Sequence, residues 1–113
     1  MSDCLFCKIV NKDIPADIVY EDNFIIGFRD ISPQAPTHVL FIPKKHIVDV
    51  AGLTPEDATL VASMTLAAKQ VAEEEGLANG YRLVINNGAG AGQSVFHIHL
   101  HLLGGRPMHW PPG

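Results

Sequence analysis

Three observations in this 113-residue sequence predict an α+β fold: an antiparallel sheet of about five strands, one long helix and a short N-terminal helix. The first is residues 96–102, where His97, His99 and His101 alternate with Ile98, Leu100 and Leu102. Alternation with period two marks a strand whose successive side chains point to opposite faces. The second is a series of short apolar runs divided by turn residues, at 18–21, 24–30, 39–42 and 81–86. Strands of that length joined by tight turns pair antiparallel. The third is a single long helical repeat after residue 54, with its own start and stop signals. No repeat or linker divides the chain, so residues 1–113 are expected to form one domain.

At the N-terminus, Cys4-Leu5-Phe6-Cys7 has the spacing that lets two thiolates reach one metal. A redox dithiol shares that spacing but ordinarily opens a helix that follows a strand, and no strand stands before residue 4. Two thiols in a small apolar cluster with Leu5, Phe6 and Ile9 are the plain alternative. Two cysteines do not complete a tetrahedral site, so a metal here needs two further ligands. Ile14-Pro15 ends this segment. Ile18–Glu21 reads as a strand, Asp22-Asn23 as a turn, and 24–30 as a second strand with Phe24, Ile26, Phe28 and Asp30 on one face. An apolar platform ending in a carboxylate suits a nucleoside. Phe28 can cover a base and Asp30 can accept from both ribose hydroxyls, although an aspartate before Ile31-Ser32-Pro33 is more often a turn residue.

Pro33 and Pro36 stiffen the next loop. Residues 39–42 are apolar on both faces, which predicts a central strand covered twice. His38 stands at its entrance and reads by itself as structural. Thr54 is an N-cap, Pro55 a first helical residue, and Glu56 and Asp57 the acidic first turn. Leu60, Val61, Met64, Ala68, Val71 and Ala72 form a stripe for core or dimer packing, and Gly76 closes the helix in the left-handed conformation. Glu73-Glu74-Glu75 oppose the helix dipole and read as solvated. Asn79-Gly80 turns the chain into a strand over 81–86 that delivers Asn86 to the mouth of a glycine-rich loop.

That loop and the last strand carry the chemistry. Gly88, Gly90 and Gly92 are expected to turn several backbone N–H groups toward one point, an anion-binding nest, with Gln93 and Ser94 as further donors. Beyond it, Phe96, Ile98, Leu100 and Leu102 are expected to enter the core together. His97, His99 and His101 then share the opposite face, with neighbours roughly 6.5 Å apart. One strand histidine is ordinarily a hydrogen-bonded or solvent-facing residue. Three in strict alternation point to a phosphate cradled beside imidazoles, or to a metal held from one side.

Charge narrows the partners. Eight Lys and Arg against twelve Asp and Glu give −4, and no basic run exceeds Lys44-Lys45. This disfavours nucleic acid, whose binding needs a basic footprint, but not one small anion held by local donors. No apolar run approaches membrane-spanning length, and Met1-Ser2-Asp3-Cys4 lacks the features of a signal peptide. A cytoplasmic protein without a membrane or nucleic-acid partner is expected.

The string His97-Ile98-His99-Leu100-His101-Leu102-Leu103 resembles the motif of the histidine triad (HIT) superfamily of nucleotide hydrolases and transferases. Residues 30–38 (DISPQAPTH), 92–97 (GQSVFH) and the tail 104–113 (GGRPMHWPPG) resemble its Hint branch, the histidine triad nucleotide-binding proteins. The likeness spans nearly the whole chain. It implies a purine nucleoside phosphoramidase acting on adenosine or guanosine 5′-monophosphoramidates. It implies a homodimer whose two sheets join, with Met108-His109-Trp110 approaching the partner's site. By position it makes His99 the nucleophile of a nucleotidyl-histidine intermediate and His38 the residue that orients the triad. His101 and Ser94 then act at the phosphoryl oxygens and the leaving nitrogen. The nucleotide-binding set it implies is Phe28, Asp30, Ile31, Asn86, Gly92, Gln93, Ser94, His99 and His101. Strict alternation would turn Ser94 toward the core, so its role requires the loop to persist past Gln93. Relatives that carry the cysteine pair resemble zinc proteins, which implies Cys4, Cys7, His46 and His97 as ligands of a structural Zn²⁺ not required for the chemistry. Three other readings stand beside this one. They are a nucleotide-binding sensor with little turnover, a zinc hydrolase built on all three triad histidines, and a dinucleoside polyphosphate hydrolase of another HIT branch. The Hint-type tail disfavours the last.

Overall fold

A computed structural model of the chain describes residues 3–113. The elements are α1 (Leu5–Val10), β1 (Ile18–Glu21), β2 (Ile25–Arg29), β3 (Thr37–Pro43), α2 (Ala58–Glu74), β4 (Tyr81–Val84) and β5 (Leu100–Gly104). The five strands form one antiparallel sheet in the order β1-β2-β3-β5-β4. Every residue of β3 is buried, and it lies at the centre of the sheet, as its two apolar faces require. Among the described residues, no helix is long and apolar enough to cross a membrane.

The helix begins one turn later than its N-cap suggests. Pro55–Asp57 is a 3₁₀ turn that runs into α2, and the Asp57 carboxylate accepts the Thr54 N–H at 3.0 Å and the Lys45 ammonium at 2.7 Å. At its far end Gly76 has φ +74°, and Leu77 N–H returns to Ala72 O at 2.9 Å, which terminates the helix with a Schellman pairing. Met64, Ala68, Val71 and Ala72 are buried as the stripe predicts, joined by Ala67, while Leu60 and Val61 are half-buried at the margin. Glu73, Glu74 and Glu75 are exposed as expected, and Glu75 also holds Arg29 through two contacts of 3.0 and 3.3 Å and receives Thr37 Oγ1–H at 3.4 Å. It ties the end of α2 to β2 and β3.

The sheet carries a core on each face. On one face α2 packs over Ile25, Val39, Phe41, Ile98, Leu100 and Leu102. On the other, Phe6 and Ile9 of α1 pack on Ile26, Phe28, Leu40 and Ile42. The last strand β5 alternates buried and half-buried residues as expected, while His97 and His99, which precede it, are buried under the second core. Two expectations fail locally. Phe96 is 51% exposed and does not join Ile98, Leu100 and Leu102 in the core. Phe24 is 63% exposed, because β2 begins one residue later at Ile25. The reason for the first is that strand pairing begins only at Leu100. Residues 93–99 continue the loop, tied to the body by Ile98 N–H on Ile47 O at 2.6 Å. Likewise β4 ends at Val84, two residues before Asn86.

Candidate active site

The glycine loop is closed on itself. Gly88 (φ +89°) and Gly92 (φ +96°) sit in conformations that L side chains rarely adopt, and a short 3₁₀ turn, Ala89–Ala91, lies between them. Gly88 N–H donates to Gln93 Oε1, Ala91 and Gln93 N–H to Gly88 O, and Gly92 N–H to Ala89 O. The Gln93 Nε2 group donates to Val48 O at 2.7 Å and Val95 O at 3.1 Å, with the residue 98% buried. These four N–H groups hold the loop and do not contribute to an open anion nest. The physical reason is that a buried amide must satisfy both of its ends, and the nearest partners are backbone. Gln93 braces the loop. Ser94, by contrast, is exposed, because the loop does persist past Gln93.

A cavity of about 910 Å³ opens on the α1 side of the sheet. Phe6 and Ile9 of α1, Phe28 and Asp30 at the end of β2, Ile31, His38, Gly92, Ser94, His99 and His101 all line it. Ile31 is 99% exposed at its rim. Of the predicted nucleotide-binding set, Asn86 and Gln93 do not line the cavity. The Asn86 Nδ2 lies 3.9 Å from where a Cβ on Gly92 would stand.

The hydrogen bonds fix the ring protons. A carbonyl oxygen only accepts, so His99 Nδ1, 2.8 Å from His97 O, carries its proton and leaves Nε2 with a lone pair. A backbone N–H only donates, so His38 Nδ1, which accepts Gln34 N–H at 3.0 Å, carries no proton. The neutral His38 ring then bears its proton on Nε2 and donates to His101 Nδ1 at 2.9 Å. His101 in turn must hold its proton on Nε2. Among the described residues, that nitrogen is the one buried side-chain N or O atom without a hydrogen-bond partner. Burial lowers the pKa of all three rings. His101 is pushed down to about 4, first by burial and then by His99 and His38, while Asp30 works weakly against the shift at His38, His99 and His101. All are neutral at pH 7. The site thus offers one nitrogen lone pair on His99, beside one N–H on His101, with ring centroids 4.9 Å apart. That is closer than the strand rise alone predicts. The Asp30 carboxylate accepts Ser32 N–H at 2.8 Å and lies 3.5 Å from His38 Nε2.

His97 faces elsewhere. Its Nε2–H donates to Pro43 O at 2.8 Å, which leaves the Nδ1 lone pair aimed at Cys4 Sγ (3.4 Å), Cys7 Sγ (3.6 Å) and His46 Nδ1 (3.2 Å). The ligand atoms of Cys4, Cys7, His46 and His97 lie within 4.8 Å of one another, close enough to hold a metal ion. The donor set fits one, because a ligating imidazole typically gives its other N–H to a carbonyl, as His97 does. Asp30, His38 and His101 are equally close together. There the fit fails, since a proton on His38 Nε2 occupies the direction a metal would need. His97, His99 and His101 do not converge as a metal-binding group among the described residues.

Sequence reasoning missed the backbone acceptors and donors that set these protons: His97 O, Pro43 O and Gln34 N–H. Main-chain groups carry no residue signature. It also missed Phe6, which stands edge-on to the His99 ring at 5.1 Å and 88°.

Comparison with known proteins agrees with the motif. The HIT domain family matches residues 11–108. An uncharacterized HIT-like protein of Synechocystis sp. is 55% identical over 111 residues, covering 98% of this chain and 97% of that protein. A crystal structure of a HIT family hydrolase from Legionella pneumophila is 57% identical with a TM-score of 0.96, covering 98% of this chain and 100% of that one. A HIT family hydrolase from Clostridium thermocellum is 47% identical with a TM-score of 0.93, covering 96% of each.

Proposed function

Because the chain belongs to the HIT family, we propose that it is a hydrolase of the Hint branch that cleaves purine nucleoside 5′-monophosphoramidates to the nucleoside monophosphate and an amine. The observation that carries the reading is the pairing in one cavity of an unprotonated His99 Nε2 with an unpartnered His101 Nε2–H. A lone pair beside a donor suits attack on phosphorus with a charged oxygen alongside.

The reaction follows from those protons. The nucleoside lies between Phe28 and Ile31, with the ribose hydroxyls donating to Asp30. His99 Nε2 attacks the phosphorus, and a P–N bond to histidine forms as the P–N bond to the amine breaks. His99 Nδ1–H keeps its hold on His97 O, which stabilises the positive charge the ring acquires. His101 Nε2–H, kept in that tautomer by His38, donates to a phosphoryl oxygen. Ser94 at the cavity mouth hydrogen-bonds the departing nitrogen, which takes a proton from solvent and leaves as the amine. The proton later released by the attacking water replaces it. Water then attacks the nucleotidyl-histidine, its proton goes to solvent, and the monophosphate leaves with His99 restored.

The metal proposed for Cys4, Cys7, His46 and His97 is zinc, because two thiolates and two imidazoles in a closed set are a structural zinc combination. It takes no part in these steps. A homodimer is proposed on the exposed edge strand β4 and the 82% exposure of Trp110, features that a second copy would cover. A cytosolic setting is proposed from the same thiolate ligands, which a reducing compartment preserves.

Mass spectrometry of protein quenched during turnover of an adenosine phosphoramidate tests the reading. A nucleotidyl adduct on the tryptic peptide containing His99 is expected. Rapid AMP release with no adduct would mean direct attack by water, and tight AMP binding without turnover would mean a sensor.

A further inference from the structure

The metal donors and the nucleophile's cavity share one short piece of chain. Helix α1 is six residues long, too short to persist alone in water. Both thiols belong to it. Cys4 is its N-cap, with Sγ accepting Cys7 N–H at 3.4 Å, and Cys7 lies within it 3.3 Å from His46 Nδ1. Between them Phe6 is buried, edge-on to His99 at 5.1 Å and to Phe28 at 5.3 Å, and 6.1 Å from His97. Leu5, Phe6 and Ile9 form one wall of the cavity. A second link runs through His97, whose ring faces the thiols while its carbonyl holds His99 Nδ1–H.

We propose that the metal centre is a positioning device for the nucleotide cleft, and that Phe6 is the positioning residue through which it acts. Ligation of Cys4 and Cys7 together with His46 and His97 fixes α1. Phe6 then holds the plane of the His99 ring and keeps the cleft wall in place against Phe28. Without the metal, α1 keeps the packing of Phe6 and Ile9 on the sheet but loses the ligation at Cys4 and Cys7. Phe6 then shifts against His99 and the cleft loosens, although every group in the chemistry remains. This rests on the nucleotide-site reading above but not on turnover.

The test is AMP affinity by calorimetry on four samples: zinc-loaded protein, chelator-depleted protein, and zinc-loaded and depleted Phe6→Ala. Depletion and Phe6→Ala should each weaken AMP about tenfold, the size of losing one or two aromatic contacts. Depletion of the Phe6→Ala protein should add little, because both changes break the same link. Zinc-loaded Phe6→Leu should recover part of the affinity. Unchanged affinity on depletion overturns the proposal. So do fully additive losses, and so does protein that takes up no zinc. If the depleted chain loses its fold by circular dichroism, the loaded Phe6→Ala protein decides. Altered His99 imidazole resonances with one zinc retained support the proposal, and unaltered ones overturn it. Loaded wild-type protein that binds no AMP removes the nucleotide site itself, whereas AMP binding without phosphoramidate turnover removes only the activity.

Discussion

Two clusters in this protein look alike by distance and differ by protons. Cys4, Cys7, His46 and His97 bring their ligand atoms within 4.8 Å, and so do Asp30, His38 and His101. In the first, Pro43 O draws the His97 proton to Nε2 and leaves a lone pair facing the thiols. In the second, Gln34 N–H occupies His38 Nδ1, so the His38 proton lies between the rings and the lone pair of His101 Nδ1 is taken. One cluster is open to a cation, and the other is a relay that fixes the proton of His101, a ring lining the cavity, on Nε2. Proximity of donors does not identify a metal site. The partner of each ring's other nitrogen tells these two clusters apart.

The largest effect should come from the ring that belongs to neither cluster. His99→Ala is expected to lower phosphoramidate turnover by ~10³-fold or more, as nucleophile deletions do. AMP affinity should stay within a few-fold by calorimetry, because Asp30, Phe28 and His101 remain. Near-normal turnover would exclude the nucleophilic role.

The next effect separates the clusters. His97→Ala should abolish metal uptake in elemental analysis and lower the melting temperature, since ligand binding is coupled to folding. His38→Ala should leave one metal per chain. Metal lost equally from both variants would erase the distinction drawn here.

A smaller effect is expected on the relay itself. His38→Ala removes the donor to His101 Nδ1 and frees that ring to adopt the wrong tautomer. Turnover should fall about 10–100-fold, the usual size for a partner that orients an active group. The AMP dissociation constant should move much less.

The smallest effect is on stability against pH. His101 titrates at about 4 in the folded protein, below the ordinary imidazole value of 6.5, because it is buried beside His99 and His38. As pH falls below 6.5 the unfolded chain takes up the proton first, so His101 favours unfolding progressively down to about pH 4. That penalty is absent above pH 6.5 and complete only below about pH 4. Urea titrations between pH 7 and 4.5 should show stability falling with pH, with a gentler slope for His101→Ala. One group accounts for at most about 1.4 kcal/mol per pH unit. An unchanged slope would place the His101 proton elsewhere.

Much of this was legible in the sequence. The alternation at 96–102 located the last strand and the buried set Ile98, Leu100 and Leu102, and the capping residues around 54–57 and Gly76 bounded α2 within a turn. The cysteine pair suggested a metal site and the family resemblance implied His46 and His97 as its further ligands, and the four ligand atoms do lie close enough to hold an ion. Three things were not legible, each for a physical reason. Period two in residues 96–99 persisted where no partner strand exists, because alternation reports burial and not pairing. Four of the loop's N–H groups read as part of a nest because glycine signals positive φ, but not which oxygen each N–H will find. The proton positions rest on three main-chain groups, and backbone partners are specified only by the fold.

Those proton positions are the centre of the account, and imidazole ¹⁵N–¹H correlation spectra at neutral pH test them most directly. His99 should show the Nδ1–H tautomer, while His38, His97 and His101 show Nε2–H. An Nε2–H tautomer at His99 would leave no lone pair facing the cavity, and an Nδ1–H tautomer at His38 would dissolve the relay. Either result would contradict the assignment of nucleophile and donor.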